Sequence, residues 1–153
     1  MDRRKCGTAI HVASDAYGLP LGAVVSAANV NDSVETQAVL ESLVVRPPAA
    51  AAPVPQPDAR DLPRSRADGA YGNRPSQERA ATAGFRMEAP RRGRPRPPGV
   101  GRIRCAVERC HAFLSHFGRI ARRLDRIARR YLGWVQLAAC VIFLRHDANG
   151  FVR

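Results

Sequence analysis

The sequence contains almost no lysine, and its cysteines form no recognisable framework. Of its 25 basic residues only Lys5 is a lysine, and 13 acidic residues oppose them. The four cysteines include no C-x-x-C pair, which argues against a zinc site or a disulfide scaffold. Met1 is not followed by the apolar run of a secretory signal, and residues 134–144 are too short to span a bilayer. We therefore expect a cytoplasmic protein with no membrane partner.

Several common catalytic motifs are absent as well. The sequence has no G-x-S-x-G nucleophile elbow, no Walker-type loop and no G-x-G-x-x-G fingerprint. Residues 108–111 form a single E-x-x-H pattern, whereas a di-iron bundle needs two such motifs and two further glutamates. His111 and His116 are five residues apart and do not share a helical face. These absences argue against a serine hydrolase, a nucleotide-binding domain and a di-iron protein.

The positive charge is concentrated in one segment. Residues 86–130 hold 14 arginines and three acidic residues, so this segment carries +11 of the total net charge of +12. A segregated basic block is typical of nucleic-acid binders, because phosphate contacts supply most of their non-specific affinity. The alternative interpretation is a solvated and partly disordered basic arm.

The first half of the chain predicts a β-hairpin, a helix and a linker. Apolar residues alternate within residues 8–30 on both sides of the turn-forming segment 15–20, which predicts two antiparallel strands. Helical spacing then predicts a helix over 33–44, with Asp32 or Ser33 as its N-cap. Residues 46–63 hold half of the 12 prolines and predict an extended linker.

The second half predicts helices separated by a basic loop. A short helix is expected over 75–83 with Ser76 near its start, and residues 86–101 are expected to form a loop. An apolar stripe then recurs at steps of three and four residues, with Gly118 and Gly133 as candidate break points. The stripe consists of Phe113, Phe117, Ile120, Leu124, Ile127, Tyr131 and Trp134. The spacing places Arg104, Glu108, Ser115, Arg119, Arg122, Arg126 and Arg130 on the opposite side.

Two carboxylates are candidates for chemistry. Glu108 either pairs with Arg104 or Arg122 in a surface ion pair, worth a few tenths of a kcal/mol, or it binds a metal beside a phosphate backbone. Two-metal phosphoryl transfer needs such carboxylates, with basic groups to hold the strand. Asp68 either ends a short strand and points into a cleft, or it is an ordinary turn or N-cap residue. The pattern of residues alone leaves both alternatives open.

Six segments, in this order, resemble the C-terminal part of bacterial DDE transposases of the insertion sequence five group. They are DRRKCGTAIHV (2–12), DAYGLPL (15–21), ANVNDS (28–33), ADGAY (67–71), VERCHAFL (107–114) and LAACVIFLR (137–145). The resemblance covers nearly the whole chain except the two proline-rich stretches.

The resemblance implies an α/β, RNase H-like fold and a triad of acidic residues that binds two Mg²⁺ ions for DNA cleavage and strand transfer. Asp68 matches the second acidic residue and Glu108 the third, so both are implied catalytic residues and metal ligands. Arg104 matches the arginine of the R-x-x-x-E signature. Together with the basic face, this gives an expected DNA-binding set of Arg104, Arg109, Arg119, Arg122, Arg123 and Arg126.

The first acidic residue of the triad belongs to a strand before residues 2–7, so we expect this chain to begin after it. Asp15 and Asp32 match other parts of the family pattern, and neither is expected to replace it. We therefore expect a partial RNase H-like fold with a hairpin, a mixed sheet and C-terminal amphipathic and apolar helices. The expected organisation is 1–45 (hairpin and helix), 46–64 (linker) and 65–153 (the remaining catalytic domain).

The functional expectation is a truncated transposase that is marginally stable and inactive alone, because the absent strand exposes a sheet edge. Its expected partners are DNA, as terminal repeats and target, and an upstream-frame product or a full-length transposase; an expressed protein would be associated with the nucleoid. The alternatives are a non-catalytic basic DNA-binding protein and an unfolded translation product.

Overall fold

The computed structural model describes residues 7–44, 64–67, 71–89 and 100–150. The strands are β1 (Thr8–Ser14), β2 (Pro20–Ala27), β3 (Arg64–Arg66) and β4 (Arg86–Glu88). The α-helices are α1 (Thr36–Glu41), α2 (Arg74–Thr82), α3 (Val100–Ser115), α4 (Gly118–Ala121) and α5 (Ala128–Gly150), and a 3-10 helix (Asp32–Glu35) precedes α1. The described residues therefore form a mixed α/β structure.

The predicted hairpin is confirmed. β1 and β2 pair antiparallel from Thr8 opposite Ala27 to Ala13 opposite Gly22, with an irregularity between Ala13 and Ser14. The turn is organised by Asp15, whose Oδ1 accepts hydrogen bonds from the backbone N–H groups of Tyr17 (2.9 Å) and Leu19 (2.7 Å). Aspartate favours turns because its short side chain can satisfy backbone donors nearby in this way.

A second, parallel pair of strands corrects one expectation. Residues 86–101 were expected to form a loop, but Arg86–Glu88 is strand β4, which pairs in parallel with β3. Glu88 strengthens this pair, because its carboxylate lies 3.5 Å from the Nε of Arg64 and 3.4 Å from the Nε of Arg66. The connection between the two strands contains α2, as parallel pairing requires.

The residues that cap the N-termini of the first helices differ from those predicted. The helix predicted over 33–44 is a 3-10 turn followed by the six-residue α1. Its N-cap is Asn31, whose side chain accepts from the N–H of Ser33 (3.0 Å), and is neither Asp32 nor Ser33. Asn73 caps α2 in the same way, through the N–H of Ser76 at 2.9 Å. Asparagine serves as well as aspartate or serine here, so the sequence did not single it out.

The C-terminal stripe is divided among three helices. The breaks fall at residues 116–117 and 122–127, so Gly118 begins α4 whereas Gly133 lies inside α5. Leu124 and Ile127 lie in the second break and are 69% and 51% exposed, so their assignment to the buried stripe was wrong. Because the helical phase is lost at each break, the arginines do not share one continuous helix face with Glu108. None of the described helices, including α5, is apolar over enough of its length to cross a membrane.

Two apolar clusters lie on opposite sides of the hairpin. The larger cluster joins the turn to α3, α4 and α5, and it contains Leu19, Cys110, Leu114, Ile120, Tyr131, Val135, Ala138 and Ile142. The smaller one joins α1 to α2 and β4, and it contains Leu40, Ala80, Ala83 and Phe85. Ile10 and Val12 of β1 pack against the larger cluster. Because strand side chains alternate, His11 and Ala13 face the other side.

The predicted linker 46–64 lies outside the described residues except for Arg64. The domain boundaries at 45 and 65 therefore stay predictions.

We predict that Gly18→Ala destabilises the protein by about 1–3 kcal/mol, because a side chain is strained at positive φ. Gly18 has φ 88°, and an added Cβ would lie 2.9 Å from the carbonyl oxygen of Ala106 and 3.0 Å from Cβ of Arg109. The free energy of unfolding in urea measures the effect.

Gly133→Ala is the matched control. Gly133 lies inside α5, and an added Cβ there would meet no atom within 4 Å. Alanine should therefore stabilise the helix, by up to about 1 kcal/mol. Equal effects of the two substitutions would contradict the role assigned to Gly18.

Candidate active site

A cavity of about 400 Å³ lies where the two pairs of strands approach each other. It is lined by β1, through residues 10–14, and by residues 65–67 with Tyr71. The 3-10 helix, α1 and β4 close one side through Asp32, Thr36, Val39, Leu40 and Met87, and α3 closes the other through Val107, Glu108 and His111. The lining combines apolar side chains with the ionisable groups of His11, Asp32, Arg66, Glu108 and His111.

Glu108 reaches the cavity because of its phase on α3. Ala106, Cys110 and Leu114 are spaced by four residues and are buried in, or next to, the larger cluster. The neighbouring face of the helix presents Val107, Glu108 and His111 to the cavity. Glu108 itself is exposed, so its carboxylate can meet a ligand that enters from solvent.

The hairpin turn holds α3 in this position. The Nη1 of Arg109 donates a hydrogen bond to the carbonyl oxygen of Tyr17 (3.2 Å), and Gly18 lets the turn approach the backbone of the helix at Ala106. Asp15 stabilises the turn, because its carboxylate accepts hydrogen bonds from two backbone N–H groups of the turn. This agrees with the expectation that Asp15 is no substitute for a catalytic aspartate.

His11 and Asp32 also line the cavity, and the sequence analysis assigned neither to the site. His11 is buried, its Nε2 lies 2.7 Å from the hydroxyl of Ser26, and its Nδ1 lies 3.7 Å from Oδ1 of Asp32. The Ser26 hydroxyl also lies 3.2 Å from the carbonyl oxygen of Ala27. In the sequence, the signal that could have identified His11 is a histidine within an otherwise apolar predicted strand.

Asp68, the other predicted catalytic carboxylate, lies outside the described residues. Residues 68–70 lie outside the described residues, and Ala67 and Tyr71 on either side of them both line the cavity. Ala67 directly follows β3, and its N–H donates to the carbonyl oxygen of Glu88 (3.1 Å). The expectation that Asp68 ends a short strand and points into a cleft therefore stays a prediction. Arg104 belongs to α3, but its side chain is also outside the described part.

The described residues alone do not make a complete metal site. Mg²⁺ prefers several oxygen ligands in octahedral geometry. Within the described ranges no three histidine, cysteine, aspartate or glutamate side chains converge closely enough to hold a metal ion. Glu108 and Asp32 are the carboxylates on the cavity wall, so further ligands would have to come from elsewhere.

Cys110 is not a candidate ligand or nucleophile. Burial, and to a lesser degree the nearby charge of Asp15, raises the pKa of its thiol to about 12. The thiol therefore stays protonated at neutral pH, whereas a metal ligand or nucleophile must be a thiolate. Its role is to fill the core between the turn and α3.

Three of the predicted DNA-binding arginines make contacts within the protein. Besides Arg109, the guanidinium of Arg119 lies 4.5 Å from the ring centre of Trp134, and that of Arg123 lies 5.6 Å from that of Tyr131. Arg123 also donates to the carbonyl oxygens of Asp125 and Arg126, at 2.9 Å each, and to the hydroxyl of Thr8.

Arg122 and Arg126 differ from these three. Both side chains are exposed, and within the described part of the chain neither makes a side-chain hydrogen bond, ion pair or ring contact. Their guanidinium groups are therefore available to bind an anion.

The family of the chain follows from comparison with known proteins. Residues 2–144 match the family model described as Transposase DDE domain. This match covers nearly the whole chain, so the protein belongs to the transposase DDE domain family. That family implies a divalent metal. The resemblance inferred from the six sequence segments is thereby confirmed at the level of the family.

A relative supports the same assignment. The chain is 29% identical over 144 residues to a Burkholderia cepacia protein named as the transposase for insertion sequence element IS402. The alignment covers 92% of this chain and 64% of the relative, so the chain spans less than two thirds of the relative's length. No solved structure matches the chain.

We predict that stability falls on acidification through His111. Burial, followed by the nearby His11, lowers the pKa of His111 below its ordinary value of 6.5. Below about pH 6.5 the unfolded chain therefore binds this proton more readily than the folded chain, and the free energy of unfolding decreases. Chemical denaturation at about pH 7 and about pH 5 should show a smaller loss for His111→Gln than for the unsubstituted protein.

His116→Gln is the control for this measurement. His116 is exposed, and its Nδ1 lies 2.7 Å from the carbonyl oxygen of Ala112. If both substitutions changed the pH dependence equally, the effect would not be specific to His111, which lines the cavity whereas His116 does not.

Proposed function

We propose that this chain is part of an insertion sequence transposase and that its cavity belongs to the site of DNA cleavage and joining. One observation carries the proposal. Glu108, from the VERC segment, and Ala67 and Tyr71, which flank Asp68 in the ADGAY segment, line the same cavity. The two motifs lie some forty residues apart in the sequence, so their convergence is a property of the fold.

In this proposal Glu108 and Asp68 are catalytic carboxylates that hold Mg²⁺. Bound metal would activate a water molecule or a 3′ hydroxyl and stabilise the charge that develops on the phosphate. The tasks of the chain are to present the carboxylates at the cavity and to hold the DNA strand through arginines. Arg122 and Arg126 suit the second task best, because their guanidinium groups are exposed and make no competing contact.

We further propose an RNase H-like arrangement and membership of the insertion sequence five group. Strands β1 to β4 with helices on both sides of the hairpin support the first proposal. The six ordered sequence segments support the second. The partners would be terminal repeats, target DNA and a further transposase polypeptide.

We also propose that the 153-residue chain does not cleave DNA alone. The resemblance matches Asp68 and Glu108 to the second and third acidic residues of the triad and matches no residue of this sequence to the first. The chain would then act only with a complementing polypeptide.

The test of this proposal uses the purified chain and a supercoiled plasmid that carries the element ends. With Mg²⁺ we expect DNA to be bound but no nicked circles to form. Glu108→Gln should bind DNA at least as tightly as the unsubstituted chain, because it removes a negative charge. Glu41→Gln, on α1 and outside the cavity, is the matched control. Nicking by the chain alone would contradict the proposed inactivity, and nicking that survived Glu108→Gln would contradict the role of Glu108.

A second candidate function is non-catalytic DNA binding through the segment 118–130. The exposed arginines of the second helix break favour it, since they need no cavity and no metal. Complementation by a transposase polypeptide separates the two functions. A catalytic Glu108 makes the restored activity sensitive to Glu108→Gln, whereas a purely structural Glu108 leaves that activity unchanged.

We predict that replacing both Arg122 and Arg126 with alanine weakens DNA binding and reduces its salt dependence. Each lost phosphate contact should lower the slope of log K against log salt by about 0.9, so the pair should lower it by about 2. Fluorescence anisotropy over a salt series measures the slope. Arg74→Ala is the control, because Arg74 is 89% exposed and pairs with Glu78 on α2. Equal losses in both variants would show that general charge, and not this segment, binds DNA.

A further inference from the structure

One side of α5 carries an exposed row of residues at alternating steps of three and four. The exposed row consists of Arg130, Gly133, Leu137, Cys140, Leu144 and Asp147. Leu137 and Leu144 are 54% and 69% exposed. This spacing keeps residues on one helix face, as in the seam of a two-stranded coiled coil. The exposed row therefore has an apolar centre with a charge at each end.

The buried side of α5 points the other way. Tyr131, Val135, Ala138 and Ile142 belong to the larger cluster. At about 100° per residue these four lie nearly opposite the exposed row. The fold of the described residues thus buries one apolar side of α5 and leaves a second one at the surface.

The exposed row is unfavourable for α5 as an isolated helix. Arg130 lies in the first turn and Asp147 in the last, whereas the helix dipole favours the reverse order. Within the described part of the chain neither side chain makes a hydrogen bond or an ion pair. Gly133 also weakens the helix relative to alanine, although no atom lies within 4 Å of the Cβ that alanine would add. Local structure therefore explains none of these three residues.

The exposed row is complementary to itself in the antiparallel direction. With a two-fold axis between residues 138 and 139, each layer pairs unlike residues. The layers are Arg130 with Asp147, Gly133 with Leu144, and Leu137 with Cys140. Opposite charges thus meet at both ends, and each leucine meets a smaller residue, as interdigitating helices require. A parallel pair would instead place Arg130 against Arg130 and Asp147 against Asp147.

We propose that the exposed row binds the same row of a second copy of this chain, so that two α5 helices pack antiparallel about a two-fold axis. In such an interface every contact occurs twice. Arg130 of each copy pairs with Asp147 of the other, and each charge lies beside the favourable end of the other helix dipole. Gly133 leaves room for Leu144 of the second copy, since glycine permits close approach.

The agreement of all three layers in one register favours a second copy over an unrelated helix. An unrelated partner would require only an apolar surface, and not opposite charges at equal distances from the centre of the exposed row. A helix pair over residues 130–147 is about 26 Å long and lies at the small end of specific interfaces. We therefore expect a weak dimer whose population depends on concentration.

Sedimentation equilibrium of the full chain tests the proposal, over about 5 to about 500 µM because small interfaces are weak. A reducing agent is included, since Cys105 and Cys140 are exposed. The average mass should rise with concentration from 16.7 kDa towards twice that value. Leu144→Asn should weaken self-association at least about tenfold. Leu124→Asn is the matched control, because Leu124 is also 69% exposed but lies outside α5.

Exchange of the end charges tests the antiparallel register. Arg130→Asp and Asp147→Arg each place like charges at both ends of the pair, and each should weaken self-association at least about fivefold. The variant with both changes restores two reversed ion pairs and should associate within about twofold of the unsubstituted chain. Arg130→Asp also lowers the net charge of +12, so relief of general repulsion would strengthen association instead. Arg74→Asp, with the same charge change on α2, should not weaken it.

Three results would each overturn the proposal. They are a constant mass of 16.7 kDa over the whole concentration range, equal losses from Leu144→Asn and Leu124→Asn, and no recovery when both end charges are exchanged. The first needs no variant, and far-UV circular dichroism checks that each variant keeps its helices. None of the residues in the exposed row lines the cavity, and no DNA or metal enters the test. Its failure is therefore distinguishable from a failure of the proposed function.

Discussion

The contact between the hairpin turn and α3 is the constraint on which the candidate site depends. Gly18 brings the turn against the backbone of α3 at Ala106, Arg109 donates to Tyr17, and Leu19 enters the core beside the helix. Burial of a leucine side chain contributes about 1.5–3 kcal/mol, whereas the exposed hydrogen bond adds less. The packing of Cys110 and Leu114 in the core therefore fixes the rotation of the helix, and the hydrogen bond of Arg109 adds to it. The direction in which Glu108 points follows from that rotation.

The hairpin also explains why the cavity lies where it does. β1 contributes Ile10 and Val12 to the larger cluster and turns His11 towards α1, so this one strand belongs to both halves of the protein. The two clusters do not merge, because each helix layer packs on its own side of the strands. The cavity is lined by residues of β1 and β3, which pair with different partners within the described residues. An opening at this point is thus a consequence of how the strands are paired.

The sequence predicted those parts of the fold that depend on neighbouring residues. Alternation around a turn-forming segment was sufficient for β1 and β2, and the short helix expected over 75–83 corresponds to α2. The start of α3 at Val100 falls within the loop predicted over 86–101. The break at 122–127 was not predictable from spacing, because it is held by Arg123, which satisfies the carbonyl oxygens of Asp125 and Arg126 and reaches Thr8. For the same reason Asp32 was not assigned to the site. Its approach to His11 depends on pairing between distant segments, which no local pattern records.

The lone carboxylate Glu108 is compatible with its basic segment because the arginines of that segment have different roles. Arg109 is held by the turn, and Arg119 and Arg123 lie over the rings of Trp134 and Tyr131, so part of the arginine surplus stabilises the helices. Arg122 and Arg126 lie in the second helix break, separated from α3 by α4. The other ionisable side chains that line the cavity with Glu108 are those of His11, Asp32, Arg66 and His111. An anionic DNA strand drawn to the exposed arginines would therefore not need to displace the contacts that hold Glu108 in place.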